Sequence, residues 1–435
     1  METLPCSLGQ LKNLQELNLS CNQLIKLPEN IGELISLRKL DISGNKLSAL
    51  PESMKNLKKL EILNLAGNKF VELPEMFHNI DSLKSLNLSK NQLSVLPDSI
   101  GSLKNLSKLK LEHNELKHLP DSFCSLKALK YVNLQYNKLK KLPEAIGQLI
   151  SLEKLDLYSN ELEEIPTSIG CLSNLDYMNL GSNQLCELPA SIGQLNALEK
   201  LDLFANQLTS IPESMSKLTQ LELLRLNDNK ISSCPEIFDH MRFLINLDLK
   251  NNLLTELSES IGNLSSLVRL DLTSNPLKKL PANIVKLKSL ENLSLEVSVL
   301  PENFGELTGL RQLTIREWQE EWLPDCIGDL TGLKLLEISG GKLKYFPESI
   351  VNLSNLVGLI INKTQLTSLP ESIGNLSHLG ALILNDNDLN HLPRSLLSVN
   401  SLKRLMLVGN PRLNLSDKQL KQSPDKILKY YFESQ

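Results

Sequence analysis

The chain has 435 residues, a formal charge of −4 and 4% aromatic residues. Acids and bases are interspersed, which argues against nucleic acid or an anionic membrane as the main ligand. The start, METLPCSLGQ, has neither a basic region nor an apolar stretch, and no run has the length and hydrophobicity of a membrane span, so no membrane insertion is expected.

An Asn-x-Leu…Leu-Pro frame recurs every 23 residues. Its asparagines are Asn22, Asn45, Asn68, Asn91, Asn114, Asn137, Asn160, Asn183, Asn206, Asn229, Asn252 and Asn275, with no insertion or deletion between them. Six positions after each stands a proline, from Pro28 and Pro51 onward to Pro281; only Ser258 breaks the series. A fixed period of this length marks a solenoid, in which each coil buries its apolar face against its neighbours.

Residues 37–59, LRKLDISGNKLSALPESMKNLKK, show one coil. Leu40 and Ile42 lie two apart, so both point to one side of a strand while Lys39, Asp41 and Ser43 point to the other. Asn45 follows at a turn, where its amide can both donate and accept, and a stack of such residues is expected to satisfy the backbone groups at each bend. Leu47 and Leu50 return to the core. Pro51 lacks an amide hydrogen and ends the extended stretch. Met54 and Leu57, three apart, suit a short helical or irregular outer turn. A later coil writes this turn as LPESIGNL, Leu369 to Leu376, where Gly374 is expected to take a backbone shape closed to other residues. Parallel strands, one per coil and about 4.8 Å apart, therefore line an inner face.

These motifs resemble the leucine-rich repeat family of the 23-residue Leu-Pro-x-x-Ile-Gly type, over about residues 1–410. They are similar to intracellular Ras-associated leucine-rich repeat proteins and to bacterial relatives with the same repeat. The resemblance implies an α/β solenoid: a horseshoe with a parallel β-sheet on its concave face and short helical or irregular turns on its convex face. It also implies a scaffold that binds a protein on the concave face, a small GTPase or other signalling protein being the kind of partner the family suggests.

On the inner face, large rings gather between Lys108 and Lys200: Tyr131, Tyr136, Tyr158 and Tyr177, joined by Phe204. Such rings offer wide contact area at low entropic cost, which suits a partner-binding surface. The plainer reading is that they stack along the sheet and shield it.

The proline interval shortens from 23 to 20 between Pro281 and Pro301, with three residues missing around Glu296 to Leu300. The next ladder positions hold Trp318, Gly341 and Thr364, before Asn387 and Asn410 resume the series. The repeats thus divide into a regular stretch (1–284), an irregular block (285–365) and a second regular stretch (366–410), followed by a tail (411–435). The block is either drift of a tolerant repeat or a local change of curvature. On the second reading it presents Arg316, Trp318 and Trp322 beside Glu317, Glu320 and Glu321, with Trp318 as an exposed interface anchor.

Farther on, the inner-face position usually held by Asp or Asn becomes Ile360, Ile383 and Met406. An exposed aliphatic stripe of this kind is either a slightly apolar sheet or a surface covered by a partner, a second copy or another segment of the protein. In the tail, Ser423-Pro424-Asp425 starts a helix, and Ile427, Leu428, Tyr431 and Phe432 give it an apolar face that caps the open core. The segment DKILKYYFESQ also resembles the short helix that leads from the repeats into the GTPase domain of bacterial Roco-type proteins. At the other end Leu4-Pro5 already belongs to a coil. The alternative function is therefore the sensor or targeting arm of a multidomain Roco-type GTPase of which this chain is a fragment.

No phosphate-binding loop or nucleophile elbow is written in the chain, and His113 and His118 lack zinc-helix spacing and a third ligand. No cofactor and no catalysis are expected. The seven cysteines are scattered, which suits a reduced, cytoplasmic protein. The expected function is non-catalytic capture of a partner protein in intracellular signalling.

Overall fold

A computed structural model describes residues 2–433. The chain divides into two compact units, 1–224 and 225–435. In the first, nine three-residue strands run from Glu16–Asn18 to Lys200–Asp202, and each pairs in parallel with the next at an offset of one coil. Leu40 pairs with Leu63 and Leu63 with Leu86, all three fully buried, while their strand neighbours face outward. The period of two inside a strand and 23 between strands thus places one leucine per coil at the same depth. In the second unit, strands from Asn246–Asp248 to Arg404–Met406 pair in the same way.

Each bend is closed by its asparagine. Asn68 Nδ2 donates to Leu65 O of its own coil and to Ile42 O of the coil before, both at 3.0 Å, while its Oδ1 accepts from Leu47 N at 3.0 Å. Asn45, Asn91, Asn114, Asn137, Asn160, Asn183 and Asn206 make the equivalent bonds. Asn229 is likewise buried and donates to Leu226 O. The residue before the asparagine takes a left-handed backbone, whether it is Gly67 at φ 64°, His113 at 58° or Tyr136 at 52°.

The outer turns are 3-10 helices of three to five residues, such as Glu29–Glu33 and Glu52–Asn56, each a single short turn as that geometry favours. Where Ser258 replaces proline, its hydroxyl accepts from Ser260 N at 3.0 Å and caps the turn. The turn glycines are explained by packing rather than by φ, which corrects the expectation for Gly374. Its backbone is not left-handed, but a Cβ there would lie 2.4 Å from Ser395 O of the next turn. Gly193 faces Ser214 O the same way, at 2.1 Å.

The irregular coils lie in the second unit. Gln312–Trp318 and Leu335–Gly341 are strands of seven residues, paired in parallel as far as Trp318 and Gly341. Backbone pairing thereby continues through positions where an asparagine side chain serves the other coils. At Thr364 the hydroxyl makes different bonds: it donates to Asn387 Oδ1 of the next coil at 2.5 Å, and Leu366 N of its own coil donates to it at 3.3 Å.

The helix Pro424–Glu433 buries Ile427, Leu428 and Tyr431, and Leu392 N donates to the Tyr431 hydroxyl at 3.2 Å.

Candidate functional site

Strand register arranges the open face of the first unit in columns. The first column alternates Lys108, Tyr131, Lys154, Tyr177 and Lys200 on adjacent strands. The next is a buried polar floor of Asn133, Asp156, Asn179 and Asp202. Two residues beyond that floor come Gln135, Tyr158, Gly181 and Phe204.

Four rings touch in sequence across this face. His113 stacks on Tyr136 with centroids 4.4 Å apart and planes 9° apart. Tyr136 meets Tyr158 edge-on at 5.3 Å, and Tyr158 meets Phe204 at 5.6 Å. Tyr158 and Phe204 are two coils apart, and Gly181 between them makes that contact possible. A Cβ on Gly181 would lie 2.4 Å from Phe204 Cε1, so the phenylalanine ring lies back over the glycine. Tyr131 and Tyr177 stay in the lysine column, where Lys108 Nζ sits 5.4 Å from the Tyr131 ring centroid. The five aromatic residues thus fall into two sets. His113 joins one of them although the zinc-spacing argument had set it aside; its distance of one coil from Tyr136 was the available signal. Among the described residues, no group of three or more His, Cys, Asp or Glu side chains could hold a metal ion.

The floor is electrostatically loaded. Burial pushes the Asp156 carboxyl above its ordinary range, and the nearby Asp202 adds to this. Hydrogen bonds from Gln135, Tyr158 N and the Tyr177 hydroxyl oppose it. Burial likewise raises the Tyr131 hydroxyl, against a bond with Asn133. A carboxyl whose folded pKa is raised destabilises the fold above that pKa, and the penalty disappears as pH falls through it. Asp156→Asn should therefore gain stability at neutral pH. The gain should vanish in acid, where the parent carboxyl is protonated. Urea midpoints at both pH values check this, and an equal difference at both would refute it.

In the second unit Trp318 is buried, 2% exposed, which corrects its assignment as an exposed anchor. It occupies the ladder position, whose side chains point inward, and its Nε1 donates to Trp322 O at 3.1 Å. Trp322 is the exposed indole, stacked on Tyr345 with centroids 4.4 Å apart. Ile360, Ile383 and Met406 lie side by side on adjacent strands, half-buried.

A model described as a leucine-rich repeat region matches residues 4–90, 168–252 and 237–321, and further leucine-rich repeat models match 81–139 and 151–172. The chain belongs to the leucine-rich repeat family. A leucine-rich repeat protein of Leptospira interrogans is 33% identical, with a TM-score of 0.73 and coverage of 96% of this chain and 95% of that one. The Arabidopsis receptor kinase HAESA, solved with the peptide hormone IDA and the co-receptor SERK1, is 27% identical, with a TM-score of 0.71 over 94% of this chain and 76% of that one. TLR13, solved in complex with ssRNA13, is 26% identical, with a TM-score of 0.70 over 89% of this leucine-rich repeat chain and 60% of its own. Comparison with curated proteins gives no match. No helix among the described residues is long and apolar enough to cross a membrane.

Proposed function

We propose that this leucine-rich repeat protein is a non-catalytic scaffold that captures a partner protein on the open face between Tyr131 and Phe204, in intracellular signalling. The run His113–Tyr136–Tyr158–Phe204 carries the reading. Tyr136 is 42% exposed, and its ring is held between two others on a sheet whose floor is hydrogen-bonded. Pre-organised rings lose little entropy on binding, which is what an interface hot spot requires. HAESA's recorded peptide and protein partners support a ligand of that class. The row Ile360, Ile383 and Met406 is assigned as a second partner-contacting surface, and Trp318 is withdrawn from that role. Seven unpaired cysteines, four of them exposed, favour a reducing compartment such as the cytoplasm.

Affinity capture from native lysate tests the reading, comparing the parent with Tyr158→Ala and Tyr177→Ala. Tyr158→Ala should keep the parent's melting curve and weaken capture of the specific partner by at least about ten-fold, the effect of a modest hot spot. Tyr177→Ala also removes a hydrogen bond to the Asp156 carboxyl. An identical set of bound proteins at equal yield would remove the aromatic face from the binding surface.

A further inference from the structure

A cleft of about 440 Å³ lies between the coil shortened after Glu296 and the next one. Val299 and Leu323 line its apolar side, Trp318 its base, and Trp322, Glu320 and Glu321 its outer wall. Three features bear on what it can hold. Trp322 is 57% exposed yet fixed: Tyr345, which is not part of the cleft, stacks on the ring, and the two residues form a backbone bridge. The turn carrying it is pinned from below by the Trp318 Nε1 bond to Trp322 O, and from the next coil by Lys344 N and Tyr345 N donating to Glu321 O at 2.8 and 3.0 Å. The charged groups lining the cleft are both carboxylates. Glu321 is paired with Lys344 at 2.5 Å, whereas Glu320 is exposed and enters no ion pair among the described residues. Of the nearby cations, Lys279 bridges Val299 through its backbone and Lys342 N donates to Trp318 O at 2.7 Å, but neither they nor Arg316 line the cleft.

An immobilised indole beside an unpaired carboxylate, over an apolar base, matches one side chain better than any other. A guanidinium stacks flat on the indole, pairs with the carboxylate, and lays its methylenes on the apolar wall. We propose that this cleft is a second binding site, separate from the aromatic face, that takes the arginine side chain of a partner polypeptide.

Both tryptophans of the protein border the cleft, so intrinsic fluorescence reads its occupancy. The full chain would be titrated with acetyl-Gly-Arg-Gly-amide and with its citrulline and norleucine counterparts. The arginine peptide should give a saturable change in emission. Binding should weaken about five-fold for the citrulline peptide, and equally for the arginine peptide on Glu320→Gln, the size of an exposed ion-pair and cation–π contribution. The proposal is overturned by the lack of a saturable change with arginine, by equal affinity for the norleucine peptide, or by unchanged affinity in Glu320→Gln.

Discussion

Asn160→Leu should lower stability by about 2–6 kcal/mol, on the cost of the hydrogen bonds alone. In the parent, Leu139 N donates to Asn160 Oδ1 at 3.1 Å, and Asn160 Nδ2 donates to Leu134 O and Leu157 O at 2.9 and 3.0 Å. The carbonyls keep one donor each after the change, because Asn137 also serves Leu134 O and Asn183 also serves Leu157 O. Leu139 N keeps none and stays buried, which costs about 1–3 kcal/mol; each carbonyl that loses one of its donors adds about 0.5–1.5 kcal/mol. Thr364 fills a ladder position differently: its hydroxyl accepts from Leu366 N of its own coil, whereas Asn160 accepts from Leu139 N of the coil before. In a solenoid the loss is local, so hydrogen exchange should accelerate first in the coils flanking residue 160, before the global melt moves. Equal exchange in parent and leucine variant would show that the ladder carries no stability there.

The second large effect is expected at Trp318. Trp318→Ala removes a buried indole and leaves a cavity, a change that typically costs about 3–5 kcal/mol. It also releases the turn that Trp318 Nε1 holds through Trp322 O. Trp318→Phe fills most of the space without the N–H and should recover much of the loss. Urea midpoints of the three proteins measure this. A midpoint for the alanine variant within error of the parent would mean that Trp318 is not a core residue.

The fold was legible because the repeat never slips across its first twelve asparagines, so each residue's place in its coil follows by counting. Leu40, Leu63 and Leu86 could be placed at one depth without any coordinates. Tyr158, Gly181 and Phe204 stand 23 residues apart and so fall in one column. Counting could not show that Phe204 lies back over Gly181 to meet Tyr158, because a rotamer is chosen by its neighbours and not by the period. Trp318 was misplaced for a different reason. Its glutamate neighbours suggested exposure, yet its ladder position demanded an inward side chain, and backbone geometry outweighs the polarity of adjacent residues. For Gly374 the pattern marked the right residue for the wrong cause: φ freedom is a property of one residue, whereas the actual constraint comes from the neighbouring turn.

The turn glycines also bear on how each unit yields under load. Turn pairs led by Gly32, Gly101, Gly170 and Gly328 pack closely, because the missing Cβ lets the next turn's carbonyl approach. At Lys55, Cys124, Val285 and Val351 a side chain stands at that place, where a Cβ limits how near the next turn's carbonyl can come. Stiffness along the backs of the coils is therefore graded rather than uniform. Glycine joints admit the closest approach between turns, so bending within a unit should concentrate where a side chain stands instead, while the hydrogen-bonded strand face keeps its register.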